Sequence, residues 1–553
     1  MIAGKKPVLP VLCILSCIYF LLFIPPNLTG SKDPNMPLIT GSQDLNHLGI
    51  YPSDEYAQYQ SLLRMMRPGK TWKETLYNLL TYRHWQFGYP FFLISAIAAS
   101  PAIILCNHMP GINCTTASML VLRQLSVLFM LISIWFLIYM WTGFRYFLRS
   151  IVLFIFLAAI PDIVGNNMWW HPDSLVTLFV VLTIFALFKD DLRFGAWFYG
   201  AACFCGLATG TKVIGLYFFL TIASYLFIGL ANNKIKFYGL VRYGIMFLLI
   251  MAATVIITNP LLLIAKFRKE IFYSLSFHKE LNEFGGTLYQ SSPAGILINP
   301  VRWYTESLVH SYGFWWLYLI ALCLCIASIL YDPPKRLLTL LTVTWILPFS
   351  LYLLFFVQNR SGRYFIPVLL PLLSILGNVK ISKFAVQQAA KKAVHLSIIC
   401  GLILLCAVQL FYYTGTNISS YRQMVQKEKA SPAIEFYHKL NDIYFSRLPA
   451  NKPVKILLQW FIYLPPNKNF FLTILDFYRN MTHKAPELAD PDLIILDRAD
   501  VEKLADPKVV DTVFHKESAQ SMQQFYSQAK NNSLKGYSLL LATERYLAFE
   551  KKP

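Results

Sequence analysis

Apolar residues recur along the chain in blocks of about 17 to 25, the length that crosses roughly 30 Å of hydrocarbon with every backbone amide satisfied inside a helix. They occupy residues 7–24, 119–141, 150–164, 171–188, 195–211, 213–230, 240–264, 313–331, 336–357, 361–378 and 393–413. The pattern predicts an all-α polytopic membrane bundle of about eleven transmembrane helices. The first block follows Lys5 and Lys6 and ends at Pro25-Pro26-Asn27 with no small-residue cleavage site, so it reads as a retained span entering from the cytoplasm.

A further apolar stretch, 89–106, is interrupted by Pro101, and its placement sets the sidedness of everything after it. If it does not span, the basic loops 145–149, 189–193, 234–242, 332–336 and 380–392 lie in the cytoplasm, as the positive-inside rule prefers; if it spans, they move outside. It is therefore read as interfacial or re-entrant. The outer face then collects the long loop 25–118, the turn 166–173, the junction 209–212, the loop 265–312 and the turn 358–363. The polar tail from 414 to 553 joins them outside. That tail carries strand-like runs at 455–463, 492–497, 537–541 and 546–550 and a helix-compatible stretch at 519–530, which predicts a small C-terminal α/β domain after a membrane domain at 1–413.

Composition agrees with the pattern: 56% of the 553 residues are hydrophobic and only 14% charged, too few charges to coat a soluble protein of this length. The formal net charge of +20 lies mainly in short loops and in the tail, which suits membrane anchoring and anionic head groups rather than nucleic acid. Eight of the ten cysteines fall inside apolar blocks, where the thiol packs as a small hydrophobe. Cys106 and Cys114 lie beside a loop, and a disulfide between them is open if that loop is outside the cytoplasm.

Candidate chemistry sits on the outer segments. Tyr51-Pro-Ser-Asp54-Glu55-Tyr56 places two adjacent carboxylates at the start of an amphipathic helix. Ser53 or Asp54 can cap that helix; alternatively, Asp54 or Glu55 can serve as the general base that deprotonates an acceptor hydroxyl. Trp169-Trp170-His171-Pro172-Asp173 opens a later block, and Asp173 can cap it, while His171 with Asp173 can orient an acceptor or bind a metal. Lys212 sits between two blocks, and Arg360 and Arg363, with Tyr364, stand at the edge of another. Each cation can simply snorkel. Together they can hold the phosphate leaving group of a lipid-linked donor, where arginine offers a fork and lysine a point charge.

The order of these motifs resembles the C-superfamily (GT-C) glycosyltransferases, in particular the glycosyltransferase 39 family of protein O-mannosyltransferases and lipid A aminoarabinose transferases. The resemblance covers residues 1 to about 413. It rests on Asp54-Glu55, Phe87-Gly88-Tyr89-Pro90, Leu122-Arg123-Gln-Leu-Ser126, His171-Pro172-Asp173, Gly206-Leu-Ala-Thr-Gly-Thr-Lys212, Thr258-Asn-Pro260 and Arg363-Tyr-Phe-Ile-Pro367, in the family's order. It implies an inverting transfer of a hexosyl or pentosyl unit from a polyprenyl-phosphate donor to a lipid, glycan or protein acceptor. By the same resemblance Asp54 matches the catalytic base, Asp173 a second acidic site position, and Lys212 and Arg363, with Tyr364 beside them, the donor-phosphate positions. Adjacent Glu55 can equally be the base.

Departures from the family narrow the implication. Gly88-Tyr89-Pro90 stands where the lipid A transferases carry Pro-Pro, so aminoarabinose transfer is not supported, and no inserted stretch is long enough for the β-trefoil of the mannosyltransferases. The compact plan with one outer α/β tail resembles the bacterial members, which points to a bacterial inner membrane with the active site on its periplasmic or outer face. No cofactor is specified; a divalent metal is left open. The other classes in play are a lipid or solute transporter or flippase, which would show internal repeats and mid-membrane charges, and a scaffold, which would leave Asp54, Asp173, Lys212 and Arg363 dispersed.

Overall fold

The computed structural model describes residues 8–29, 53–82, 84–108, 114–284, 316–357, 362–378, 432–449, 452–459, 462, 464, 469–475, 490–511 and 516–552. The block 393–413, Arg360 and most of the loop 265–312 beyond residue 284 lie outside this set, as does the expected boundary near residue 414.

The chain is a helical membrane protein with a small C-terminal sheet. Up to residue 378 its described α-helices are α1 (Val8–Leu22), α2 (Ile24–Thr29), α3 (Ser53–Met66), α4 (Trp72–Leu80), α5 (Tyr89–His108), α6 (Cys114–Thr142), α7 (Phe147–Ala158), α8 (Pro161–Asn166), α9 (Asp173–Asp190), α10 (Ala196–Lys212), α11 (Phe219–Ala231), α12 (Phe237–Thr258), α13 (Ala265–Phe284), α14 (Trp316–Tyr331), α15 (Pro333–Phe355) and α16 (Ile366–Leu373). Six described segments are long and apolar enough to cross a membrane: Val8–Leu28, Tyr89–Cys106, Ala117–Thr142, Ile214–Ala231, Phe237–Thr258 and Pro333–Phe355. The predicted block 150–164 is two helices, because Pro161 cannot continue α7 and instead starts α8 at its first position. α12 buries only Phe247 while Ile245, Leu248, Leu249 and Ile257 face outward, the pattern of a helix solvated by lipid.

Helix ends define two opposite ends of the bundle. At one, Arg123 of α6 meets Glu55 of α3, Asp173 begins α9 and Lys212 ends α10. At the other, Lys189 at the end of α9 donates to Tyr139 of α6, and Lys335 of α15 donates to the Met140 carbonyl. α6 and α9 therefore run parallel, with α10 antiparallel to α9.

α5 continues through Pro101 as one helix and is not interrupted there. Its first residue donates from the Tyr89 amide to Asn259 Oδ1 at the end of α12 (2.9 Å), and the Gly88 amide donates to the Thr211 carbonyl (2.9 Å). Near its other end, the Cys106 thiol lies against Cys114 at the start of α6, on the Arg123 side of that helix. Both ends of α5 thus lie at the Asp173 end of the bundle. Both cysteines are free thiols.

The C-terminal residues form a five-stranded sheet in the order β2-β1-β3-β5-β4, from β1 (Val454–Gln459), β2 (Phe470–Leu475), β3 (Leu493–Asp497), β4 (Tyr537–Ala542) and β5 (Tyr546–Lys551). β1 pairs in parallel with β2 and β3, and β5 antiparallel with β3 and β4. One face packs under Phe436 and Leu440 and the other under Met522 and Tyr526 of a helix at Lys516–Lys530. The apolar run of β2 was not among the predicted strands; six residues without alternation carry no period that separates strand from helix.

Candidate functional site

The segment between α8 and α9 is held before it does any chemistry. Trp170 is 1% exposed, stacks on Phe91 at 5.2 Å and donates through its indole to Ser95 Oγ (3.0 Å). Its amide donates to Glu55 Oε1 at 2.6 Å. Pro172 occupies the N-cap position of α9 and Asp173 follows as its first helical residue with no side-chain cap, so the capping reading of Asp173 is replaced by a different one. The carboxylate sits in the first turn, at the positive end of the helix dipole.

Asp173 is 2% exposed and faces two partners. Its Oδ1 accepts from Lys212 Nζ, and its Oδ2 stands 2.7 Å from His171 Nδ1, off the line of a hydrogen bond. Lys212 is the last residue of α10, where a cation meets the negative end of that helix. Val213 then turns the chain at φ 59°, a costly conformation for a β-branched residue, and its amide still closes on the Thr209 carbonyl at 2.8 Å.

Arg363 and Tyr364 complete the cluster from the short 3-10 turn Gly362–Phe365. The Arg363 guanidinium lies 3.9 Å from the ring centre of Trp169, and Lys212 Nζ lies 5.1 Å from that of Tyr364. The positive charges of Lys212 and Arg363 both act on Asp173 and His171. The His171 ring also packs at 4.8 Å, edge on, against Phe87 and at 4.7 Å against Trp169.

The glycines of the motifs explain how these segments come so close. A Cβ on Gly88 would stand 1.5 Å from the Gly210 carbonyl oxygen, and one on Gly206 would stand 2.7 Å from Thr254 Cβ on α12. Asn259 ties the junction by accepting from Tyr89 and donating to the Gly210 carbonyl. Phe87-Gly88, His171–Asp173, Gly206–Lys212, Thr258–Asn259 and Arg363-Tyr364 therefore meet in one place.

The adjacent carboxylates are no longer equivalent. Glu55 is fully buried and forms a two-pronged pair with Arg123, Nε to Oε1 at 3.0 Å and Nη2 to Oε2 at 2.6 Å, besides accepting from Trp170. Arg123, 1% exposed, also donates to the Asn27 carbonyl (2.9 Å). Asp54 lies beside Glu55 on α3; its side chain is outside the described set. The structural weight of Arg123, Asn259 and Trp169 was missed in the sequence, although an arginine inside an apolar block is itself a signal that a partner exists. Asn27 is buried and donates to Gln124 and to the Asn167 carbonyl, so it serves the interior.

Among the described residues no three His, Cys, Asp or Glu side chains gather as a metal-ligand set. His171 and Asp173 supply two, with Asp173 already engaged by Lys212. These residues do not fit a resident metal by themselves.

The chain aligns along most of its length with solved structures, at low identity and with TM-scores below 0.5. ArnT from Cupriavidus metallidurans bound to undecaprenyl phosphate aligns over 98% of this chain and 97% of its own, with 10% identity and a TM-score of 0.49. The same protein in the apo state aligns over the same shares with 11% identity and a TM-score of 0.49. The oligosaccharyltransferase of Archaeoglobus fulgidus, tethered with an acceptor peptide containing the NVT sequon via a disulfide bond, aligns over 99% of this chain and 74% of its own, with 11% identity and a TM-score of 0.43. No family model and no curated protein matches the chain.

Proposed function

We propose that the protein is a membrane glycosyltransferase that moves a sugar from a polyprenyl-phosphate donor to a lipid, glycan or protein acceptor at the outer face of the membrane, with inversion. The observation that carries this reading is the joining of Asp173, His171, Lys212, Arg363 and Tyr364 at one end of the bundle. A transporter would place such charges near mid-membrane, and a scaffold would not need to assemble them.

The cations of the cluster suit a phosphate leaving group. Lys212 and Arg363 stand together at the Asp173 end, where both can face a phosphate. A polyprenyl-phosphate sugar is a phosphodiester with one negative charge. As the bond from the anomeric carbon to the phosphate oxygen breaks, the electron pair leaves with the phosphate, and a second negative charge develops where the arginine fork and the lysine can meet it. The acceptor oxygen forms the new bond to the anomeric carbon and gives its proton to a carboxylate base. Because Glu55 is committed to Arg123 and Trp170, that base is Asp54. Asp173 positions Lys212 and His171.

The outer placement draws on the other end of the bundle, where Lys189 and Lys335 gather beside the basic loops, the side that faces the cytoplasm by the positive-inside rule. α5, with both ends on the site side, keeps that parity. In a bacterial cell the site then opens to the periplasmic or outer face.

The test is mass analysis of surface glycans and glycolipids from a strain lacking the protein, complemented with wild type or with Asp54→Asn. One sugar substituent should disappear and return with wild type alone. An unchanged profile in all strains, or full rescue by Asp54→Asn, would refute the proposal.

A further inference from the structure

We infer that Trp169 is a donor-binding residue: its indole N–H hydrogen-bonds a phosphate oxygen of the lipid carrier, while its ring holds the Arg363 fork in place. The inference rests on the proposed use of a lipid-phosphate donor. It concerns a side chain to which the sequence motifs give no role in donor binding.

Three observations carry it. The Trp169 Nε1 atom is shut off from solvent and finds no acceptor among the described residues, an arrangement that is costly unless something else accepts. Its neighbour Trp170 has the same type of side chain, more deeply buried, and its indole is satisfied by Ser95. The contrast shows that this fold supplies an acceptor where the indole serves structure. Finally, the Arg363 guanidinium lies 3.9 Å from the Trp169 ring centre, close enough for the planar fork to stack on the indole.

The ligand that suits an unsatisfied N–H beside an arginine fork and a lysine is a tetrahedral oxyanion. An indole donates one hydrogen bond and carries no charge, so it adds direction without adding to the net positive charge of the site. Trp169 cannot drift, because the amide of the next residue is bound by Glu55 and the ring packs 4.7 Å from that of His171.

The experiment uses the full-length protein in detergent and measures its binding of a long-chain polyprenyl phosphate, of the same polyprenol without phosphate, and of inorganic phosphate. Trp169→Phe keeps an aromatic face and removes the N–H; Trp169→His keeps a ring and restores an N–H. Polyprenyl phosphate should bind wild type more tightly than polyprenol does, Phe should weaken it about tenfold or more, and His should recover most of the loss at an equal melting midpoint. Inorganic phosphate should show the same order at lower affinity if the head group alone is read, and no binding if the chain is required. Equal affinity of wild type and Phe for polyprenyl phosphate would overturn the inference while leaving the glycosyltransferase reading intact. So would normal binding by Phe with slowed transfer, which would assign the indole to the sugar. Wild type that binds neither lipid overturns both.

Discussion

Glu55 and Asp54 are neighbours in sequence with opposite predicted fates, and separating them is the sharpest test of the site. Glu55 and Arg123 are 0% and 1% exposed, and removing one member of a buried pair typically costs about 3–5 kcal/mol because the other charge stays buried without compensation. Glu55→Gln keeps one oxygen for the Trp170 amide and loses the two-pronged pair, which places it near the lower figure. Glu55→Ala also orphans the Trp170 amide, adding about 1–3 kcal/mol. At roughly 2–4 °C per kcal/mol for a unit of 150–250 residues, and less for a larger one, Glu55→Gln should lower the melting midpoint of the detergent-solubilised protein by several degrees. Replacing both, as Glu55→Leu with Arg123→Met, should recover a large part of that loss. Asp54→Asn should leave the midpoint within a degree or two and abolish transfer in vitro. The reasoning fails if Glu55→Gln melts like wild type yet is inactive, for then the buried carboxylate is the base and its pairing is not structural.

Other perturbations reach different parts of the same structure. Arg363→Lys keeps the charge but loses the fork and its planar stack on Trp169, so donor KM should rise about tenfold with folding unchanged, as read by donor titration. Gly88→Ala must push a methyl group into the Gly210 carbonyl, and a loss of at least about 1–3 kcal/mol should appear as lower expression and melting midpoint. Asp190→Ala should destabilise without touching donor affinity, since that carboxylate accepts from the Phe194, Gly195 and Phe198 amides and the Tyr225 hydroxyl at the end far from the site. A topology reporter inserted at residue 147 should report cytoplasm; an external signal would invert the outer placement.

The helical bundle was legible because block length and apolarity are local properties: α6, α9, α10, α12 and α15 fall within a few residues of the predicted blocks. The strands β1, β3, β4 and β5 were legible for the same reason. The breaks were less so. Pro161 splits one expected span, while Pro101 fails to interrupt the segment read as interfacial or re-entrant, because a proline's effect depends on whether neighbours satisfy the carbonyl it frees. Within the site, Asp173, Lys212 and Arg363 could be named from charge at the edge of apolar blocks. The ranking of Asp54 against Glu55 could not, because it depends on an arginine 68 residues away in sequence. Trp169 and Trp170 read alike in sequence, and only their surroundings part them.

Those surroundings explain why the cluster forms at helix ends. Asp173 lies at the positive end of α9 and Lys212 at the negative end of α10, so each charge is favoured by its own helix before the two meet. Their pairing then costs less than that of two ions buried in mid-helix. The glycines at 88, 206 and 210 bring the three helix ends within contact, and the strained turn at Val213 carries the chain away from the cluster instead of across it. The Glu55–Arg123 pair fixes α3 against α6 and, through the Trp170 amide, fixes the start of α9 against both. A shift of α3 would therefore move Asp54 and Asp173 together, which keeps the proposed base and the proposed phosphate cradle in register.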